Sequence, residues 1–332
     1  MSPIRVLHVG LGGRGRYWLG LVQQHEGVEP VGWVDPSESA LAAAQESAPD
    51  VQVPTFASVR DAARQVKADV AIVAAAATGR RENCVEAIDA GLHLLVEKPF
   101  ALTLADAKAI VAAAERQGTH IVVGQNYRYF PSIAEMARQI QAGRLGDLGL
   151  GCFLRTRRRF GAGTYQQHMR HNYLWEMSVH DFDLIRFTLG LTPRAITGWS
   201  WQPPWGDFTG ETSVQVLIEF ERDVKVNYFG AWASWAGEYF WRVDGSQGVL
   251  REGSGLQFAD PQGGQYTAVE LPPAGNIEWP LMEELLDAIK TGSPPRTSGR
   301  DNLWTIAMLE ATQLATERGG RVEIPTLLEE KQ

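Results

Sequence analysis

Cysteine is scarce in this chain of 332 residues: Cys84 and Cys152 stand far apart, in no Cys-x-x-Cys or Cys/His ligand spacing. That speaks against a disulfide framework and a structural zinc site, and no metal is expected. Long apolar runs are missing too. The alanine-rich stretch from Val70 to Ala77 is far shorter than the roughly 20 residues of a bilayer span, and no apolar leader precedes the strand-like run Ile4-Arg5-Val6-Leu7-His8-Val9. No membrane partner is expected, and the expected location is the cytoplasm. Positive charge is not in excess: 31 Lys plus Arg stand against 39 Asp plus Glu, for a formal net charge of −8. Such a balance gives no electrostatic footprint for nucleic acid. The one dense basic run, Arg155 with Arg157, Arg158 and Arg159, reads as a solvated strand edge or domain surface rather than a phosphate site. No internal repeat or low-complexity segment is present.

What is present divides in two. The length exceeds one ordinary core and fits two domains, with boundaries expected at 1–125 and 126–332 and with the C-terminal helices expected to pack back on the first. Short apolar runs at Ile4–Val9, Pro30–Val34, Val53–Phe56, Val70–Ala75, His93–Val96 and His120–Val123 read as strands buried on both faces. Helical stretches alternate with them: Tyr17–Glu26, Glu38–Ala48, Ser58–Val66, Arg81–Ala90 and Leu104–Gln117, the last with Thr103 as its N-cap and Gly118 just past its end. The alternation predicts an α/β, doubly wound parallel sheet of the Rossmann type. Beyond about residue 150, Ala195–Trp201, Thr212–Phe220 and Val224–Trp232 are β-rich, and Glu221-Arg222-Asp223 reads as a hairpin connection. These, with helices at Tyr173–Leu189, Glu278–Lys290 and Arg300–Arg318, predict an α+β domain with a large, mostly antiparallel open sheet.

Gly10-Leu11-Gly12-Gly13-Arg14-Gly15 follows the first strand directly. In a Gly-x-Gly-x-x-Gly spacing, Gly10 makes the tight turn, Gly12 admits a pyrophosphate to the backbone, and Gly15 lets the helix pack close to the sheet. Asp35 ends the second strand about 20 residues past the glycines, where a carboxylate accepts from the adenosine ribose hydroxyls. A carboxylate there repels a 2′-phosphate, and Pro36 and Ser37 supply no Arg to receive one, so NAD is expected over NADP; Arg14 and Arg16 leave NADP open.

Two further elements carry chemistry. Glu97-Lys98-Pro99 stands at the end of a later strand, so Lys98 is delivered to the crevice where ligands of such sheets bind. On the helix of the second half, Trp175-Glu176-Met177-Ser178-Val179-His180-Asp181-Phe182-Asp183 puts Glu176 and His180 at i and i+4 on one face. Asp183 follows three later, and ordinary surface pairing with Arg186 is the competing reading.

With these motifs in this order, joined by Gly91-Leu92-His93-Leu94-Leu95-Val96 and Gln125-Asn126-Tyr127-Arg128-Tyr129, the sequence resembles the glucose-fructose oxidoreductase/inositol dehydrogenase/rhizopine-catabolism (Gfo/Idh/MocA) family over nearly its whole length. The resemblance implies an NAD(P)-dependent oxidation of a secondary alcohol, or its reversal, on a sugar, cyclitol or related polyol. It implies Lys98 and His180 as the catalytic pair with Glu176 as the third member. Cofactor contacts fall to Gly10, Leu11, Gly12, Arg14, Gly15, Asp35, Ala75, Thr78, Glu97, Lys98, Asn126 and Arg128; substrate contacts fall to Lys98, Asn126, His171, Trp175, Glu176 and His180. This chain departs from the usual pattern with Glu176 in place of Asp, Ser178 in place of Gly, and Ala74-Ala75-Ala76-Ala77-Thr78 in place of a Thr-Pro-rich turn.

The residue types suit that chemistry. Hydride leaves a carbinol carbon only as the hydroxyl proton is lost, so a base must reach that oxygen. The unperturbed pKa of a histidine lies near neutrality, and a lysine ammonium stabilises a developing alkoxide. The sequence leaves open which of the two carries the proton. A redox-assisted glycosidase or lyase, and a non-catalytic sensor on the same fold, are the competing functions. His8 and His93 read as core histidines, His25 and His120 as surface groups, and His168 as a loop or substrate residue. Trp199, Trp201, Trp205, Trp232, Trp235 and Trp241 crowd the β-rich region, which points to a homodimer or homotetramer built on its sheet face.

Overall fold

A computed structural model describes residues 2–161 and 165–329. The chain folds into two compact units, the first made of residues 1–126 with 278–303 and the second of 127–277 with 304–332.

In the first unit the strands are β1 (Ile4–Val9), β2 (Val28–Val34), β3 (Thr55–Phe56), β4 (Val70–Val73), β5 (His93–Val96) and β6 (Ile121–Val123). They pair in parallel in the order β3-β2-β1-β4-β5-β6. This is the doubly wound arrangement expected from the alternation, and its switch point lies between β1 and β4. Val6, Leu7, Val70, Ala71, Val73, Leu94, Leu95, Val96, Val122 and Val123 are at 0% exposure, as helices on both faces require. Those helices are α1 (Gly13–Gln23), α2 (Glu38–Ser47), α3 (Val59–Gln65), α4 (Arg80–Asp89) and α5 (Leu104–Gln117). Local chemistry sets their ends. The Thr103 hydroxyl accepts the Asp106 amide, Ser58 does the same for Asp61, and Gly118 takes the left-handed C-cap at φ 69°. Each such N-cap is worth about 1 kcal/mol.

The helix after β1 starts at Gly13 and not at Tyr17 as the pattern suggested. Its first turn is written in glycine and arginine, which mask the apolar period although the backbone is already helical. The fourth strand is shorter than the pattern suggested, ending at Val73, because the Ala74 amide is the last to bond back to Val9.

The second unit holds a nine-stranded sheet of β7 (Leu148–Arg158), β8 (Pro193–Trp201), β9 (Ser213–Phe220), β10 (Lys225–Ala231), β11 (Ala233–Gly245), β12 (Gly248–Glu252), β13 (Gln257–Ala259), β14 (Thr267–Ala268) and β15 (Arg321–Glu323). Their order is β14-β13-β12-β11-β7-β10-β9-β8-β15, antiparallel except for β7 with β10. Glu221–Asp223 is the hairpin between β9 and β10, with Arg222 and Asp223 both near φ 60°.

One face of this sheet is the core: Phe153, Val214, Val216, Ile218, Val226, Tyr228, Trp241 and Val243 are buried. Beside it lie α6 (Pro131–Gln141) and α7 (Val179–Leu189), whose Phe182 meets Tyr228 edge-on at 5.0 Å between centroids. The alternation of β9 sends Gln215 and Leu217 to the opposite face, in register with Trp199 and Thr197 of β8. Trp199, Leu217 and Leu150 remain exposed. Among the described residues no helix is long and apolar enough to cross a membrane, and none form a cluster that could hold a metal ion.

Candidate active site

In the first unit, the loop after β1 is shaped by contacts only glycine permits. Gly10 has φ 85°, and a Cβ on it would lie 2.4 Å from the Ala75 backbone; a Cβ on Gly15 would lie 1.9 Å from the Gly10 carbonyl oxygen. Gly12 and Gly13 differ: a Cβ on either meets nothing within 4 Å. The open space therefore lies over the start of α1, where no side chain caps the helix and no acid sits in the first turn. Uncapped amides at the positive end of a helix dipole, open to approach, fit a pyrophosphate.

Asp35 closes the other side of the loop. Its carboxylate accepts the Leu11 amide at 2.8 Å and the Ser37 amide at 2.9 Å, which fixes the side chain beside the glycines with lone pairs left for hydroxyl donors. Arg14 points elsewhere: it donates to the buried Glu97 carboxylate at 2.6 Å, with Glu278 at 3.5 Å. The same Glu97 oxygen accepts the Trp18 indole N–H at 2.8 Å. Asn126 reaches Glu278 at 3.2 Å. Arg14, Glu97 and Asn126 thus form one network in this unit. Arg16 bonds the Leu11 carbonyl at 3.0 Å.

Lys98 follows β5 at the carboxyl edge of the sheet and is half-buried. The loop carrying it is held by a residue the sequence reading passed over. Arg80, itself buried, donates to the Pro99 carbonyl and, at 2.7 Å, to the Ala75 carbonyl. A cation in the first turn of a helix opposes the helix dipole. That mismatch at the start of α4 was the available signal that the side chain is engaged elsewhere. Thr78 lies exposed in the turn between β4 and α4.

In the second unit, Trp175 and Glu176 lie on a π-helical turn, Leu174–Ser178, that runs into α7, where His180 sits. Wide turns of this kind recur at functional sites. All three side chains are at least nine-tenths buried. The His180 ring stacks on Tyr127, and beneath it lies an interlocked set of charges. Asp181 is fully buried and accepts Arg155 at 2.7 Å and the Tyr228 hydroxyl at 2.9 Å; Tyr228 also bonds Ser178 at 2.8 Å. Burial pushes the Asp181 carboxyl above its ordinary value, with Arg155 and Tyr228 opposing. Burial, and then the charge of Asp181, push the Tyr173 and Tyr228 phenols far up, so both stay protonated donors. Burial acts most strongly on the Arg155 guanidinium and would lower its pKa, but Asp181 together with Tyr239, Tyr173 and Tyr127 raises it further, and the group stays charged.

The basic run of β7 is therefore no solvated edge throughout, because Arg155 completes this buried set. Asp183 also departs from its expected surface pairing. Arg128 grips it with two bonds of 2.7 and 2.6 Å, both side chains buried, while Arg186 stands off at 3.9 Å. Breaking such a pair from one side costs about 3–5 kcal/mol. His171 is buried at a left-handed φ of 48°, its amide bonded to Glu211 at 2.6 Å, and burial lowers its imidazole pKa. His8 lies in the core with its pKa pushed by burial down to about 3.

The first unit thus has the form of a dinucleotide-binding domain, joined to a second unit whose helix carries a buried carboxylate and imidazole. Residues 4–125 match the oxidoreductase family with the NAD-binding Rossmann fold (GFO_IDH_MocA), and residues 133–251 match the GFO/IDH/MocA C-terminal domain. The chain belongs to this family and is an NAD-binding oxidoreductase. It is 31% identical over 291 residues to the D-apiose dehydrogenase of Paraburkholderia graminis, covering 81% of this chain and 77% of that one. It is 28% identical over 266 residues to the 1,5-anhydro-D-fructose reductase of Ensifer adhaerens, covering 74% and 77%. Among solved structures, an oxidoreductase from Agrobacterium radiobacter in complex with NAD+, L-tartaric acid and magnesium superposes with a TM-score of 0.88 at 20% identity, covering 98% of this chain and all of that one. That likeness is one of fold.

Proposed function

We propose that the protein transfers hydride between NAD and a CH–OH carbon of a sugar, cyclitol or glycoside. The observation that carries this reading is the buried imidazole of His180, held flat by Tyr127 on the helix that also buries Glu176. A protein that only binds a dinucleotide needs no oriented base. The relatives named for D-apiose and anhydrofructose chemistry support the substrate class.

The glycine cradle holds the pyrophosphate on the α1 amides, and Asp35 receives the ribose hydroxyls. The nicotinamide, when bound, supplies the hydride acceptor. The protein's own residues do the rest. His180 and Lys98 share the work at the substrate hydroxyl, one taking its proton and the other stabilising the oxygen as charge builds. Glu176 couples to that pair. Arg80 keeps the Lys98 loop in place through the Pro99 carbonyl. A screen of NAD reduction across neutral sugars, cyclitols, glycosides and sugar acids tests the reading; no reduction with any of them, by protein that binds NAD, overturns it.

We also infer that the protein works in the cytoplasm as a homo-oligomer joined through the open face of the nine-stranded sheet. Exposed Trp199, Leu217 and Leu150 give that face an apolar character a solvated sheet lacks.

A further inference from the structure

Glu278 heads the second stretch of chain that completes the first unit, and its side chain serves residues far away in sequence. The helix α8 (Trp279–Thr291) begins at the next residue, to which Glu278 gives no side-chain cap bond. Its carboxylate, 12% exposed, instead accepts the Tyr17 hydroxyl at 3.1 Å and the Asn126 Nδ2 at 3.2 Å, with Arg14 Nη1 at 3.5 Å. Arg14 and Tyr17 lie three residues apart on α1, and Trp279 stacks on His25, just past that helix, with centroids 3.4 Å apart. The start of α8 is thereby laid along α1.

The consequence falls on Asn126. An asparagine amide offers an NH2 on one side and an oxygen on the other, and its neighbours decide which way each points. A carboxylate accepts and does not donate, so Glu278 takes the NH2 and turns Oδ1 away. That oxygen bonds nothing among the described residues, and Asn126 keeps 7% of its surface exposed. An acid at the head of α8 also favours that helix's dipole, but such a role asks for no contact with Asn126. The amide is thus an oriented acceptor still without its donor.

The place of that oxygen points to the donor. Asn126 follows β6 at the carboxyl edge of the parallel sheet, where ligands of such folds lie. The chain leading to it hugs the Lys98 loop: the Gly124 amide bonds the Val96 carbonyl at 2.7 Å, and a Cβ on Gly124 would stand 3.3 Å from the Lys98 nitrogen. Along that edge Asp35 follows β2 on one side of the glycine loop, while Lys98 and Asn126 follow β5 and β6 on the other. A dinucleotide with its pyrophosphate on α1 and its adenosine ribose at Asp35 has its nicotinamide half left for the β5–β6 side. That half carries donors of the right kind, ribose hydroxyls and a carboxamide NH2.

We propose that Glu278 is a positioning residue for the cofactor: it fixes the Asn126 amide so that Oδ1 accepts a donor from the nicotinamide half of NAD. This rests on NAD binding and not on the substrate, so a failed sugar screen leaves it standing.

The test titrates NAD and ADP calorimetrically into wild type, Glu278→Met, Glu278→Gln, Asn126→Leu and the Glu278→Met/Asn126→Leu pair, with urea unfolding of each. ADP carries the adenosine and the pyrophosphate but no nicotinamide. Glu278→Met and Asn126→Leu are each expected to weaken NAD by about three- to tenfold, the net worth of one hydrogen bond, and ADP by less than about twofold. The pair should lose no more than Asn126→Leu alone, because Glu278 acts through that amide. Glu278→Gln keeps an acceptor toward Asn126 and should hold NAD within about twofold of wild type. Equal loss of NAD and ADP makes Glu278 a prop of the fold and overturns the proposal, as do unchanged NAD binding in Glu278→Met and additive losses in the pair. Should Glu278→Met fail to fold, Glu278→Asp decides: it keeps the charge at the head of α8 but draws it back by one methylene from Asn126. Loss of NAD alone in that variant upholds the proposal, and unchanged NAD binding overturns it. A wild type that binds neither ligand removes the cofactor reading, and the proposal with it.

Discussion

His180 lays its imidazole parallel to the ring of Tyr127, with centroids 4.2 Å apart and planes 14° from parallel. The Arg155 guanidinium carbon lies 5.4 Å from the centroid of that same tyrosine. Through this stack the buried Asp181–Arg155 pair reaches the imidazole of His180.

If Lys98 and His180 act in the transition state as proposed, loss of either should lower turnover far more than NAD affinity. Lys98→Ala and His180→Ala are each expected to lose at least about a hundredfold in kcat while still folding and binding NAD. Tyr127→Leu is expected to lower kcat with little change in KM, and Tyr127→Phe to restore it. Steady-state kinetics on the true substrate decide; near-wild-type turnover in either alanine variant removes that residue from the mechanism.

The glycine loop separates packing from cofactor approach. Gly15→Ala drives a Cβ into the Gly10 carbonyl, so its urea midpoint and NAD affinity should fall together. Gly12→Ala meets nothing in the protein, so stability should hold within about 0.5 kcal/mol. The new methyl would cover the open amides, and NAD should bind at least about tenfold more weakly. Calorimetry alongside urea unfolding tests both, and a Gly12→Ala variant that binds NAD normally would falsify the cradle.

Asp35 orders the loop, and it is expected to select the cofactor. Wild type should bind NAD more tightly than NADP, and Asp35→Ser should narrow that gap by about tenfold or more while weakening NAD itself, as the Leu11 and Ser37 amides lose their acceptor. Tighter NADP binding by wild type contradicts this.

His8 links stability to pH. Its pKa falls from 6.5 to about 3 on burial. Above about pH 6.5 both folded and unfolded chains carry it neutral, and it has no effect. Between about 6.5 and 3 the unfolded chain takes up a proton that the folded chain refuses, so folding weakens by up to about 1.4 kcal/mol per pH unit. Urea unfolding from pH 7 to pH 5 should trace that decline, with a shallower slope in His8→Leu. Equal slopes would clear His8 of the effect.

The open sheet face should hold copies together. Sedimentation at micromolar concentration is expected to give a dimer or larger species, and Trp199→Asp/Leu217→Asp to shift it to monomer. A monomeric wild type refutes the interface.

Much of this architecture was legible because buried parallel strands and their helices leave strong local periods. The bounds of Ile4–Val9, His93–Val96 and Leu104–Gln117 are those the pattern predicted. The shape of the glycine loop and the place of Asp35 beside it were readable for the same reason, since turn, helix start and carboxylate all lie within one βαβ unit. What escaped was non-local. Arg128 with Asp183, and Arg155 with Asp181, are far apart in sequence, and nothing in the spacing joins them. Asp183 looked like a partner for Arg186 because that pairing is visible at i and i+3. The π-helical turn at Leu174–Ser178 leaves no mark in a pattern of apolar positions, and β11 to β14 are too mixed in polarity to be called from alternation.

The first unit is built from two separate stretches of chain, and time enters through that fact. β6 ends the parallel sheet, and its free edge is covered by the later segment, with the Val123 amide bonded to Thr297 and Val122 bridged to Ser298. A ribosome adding about 5–20 residues per second needs about 9–35 s to go from residue 125 to residue 298. Throughout that interval the nascent sheet offers an unpaired strand to any neighbour. Synthesis, not the finished fold, is where this chain is most exposed to aggregation, and slow codons or starvation between those positions lengthen the danger.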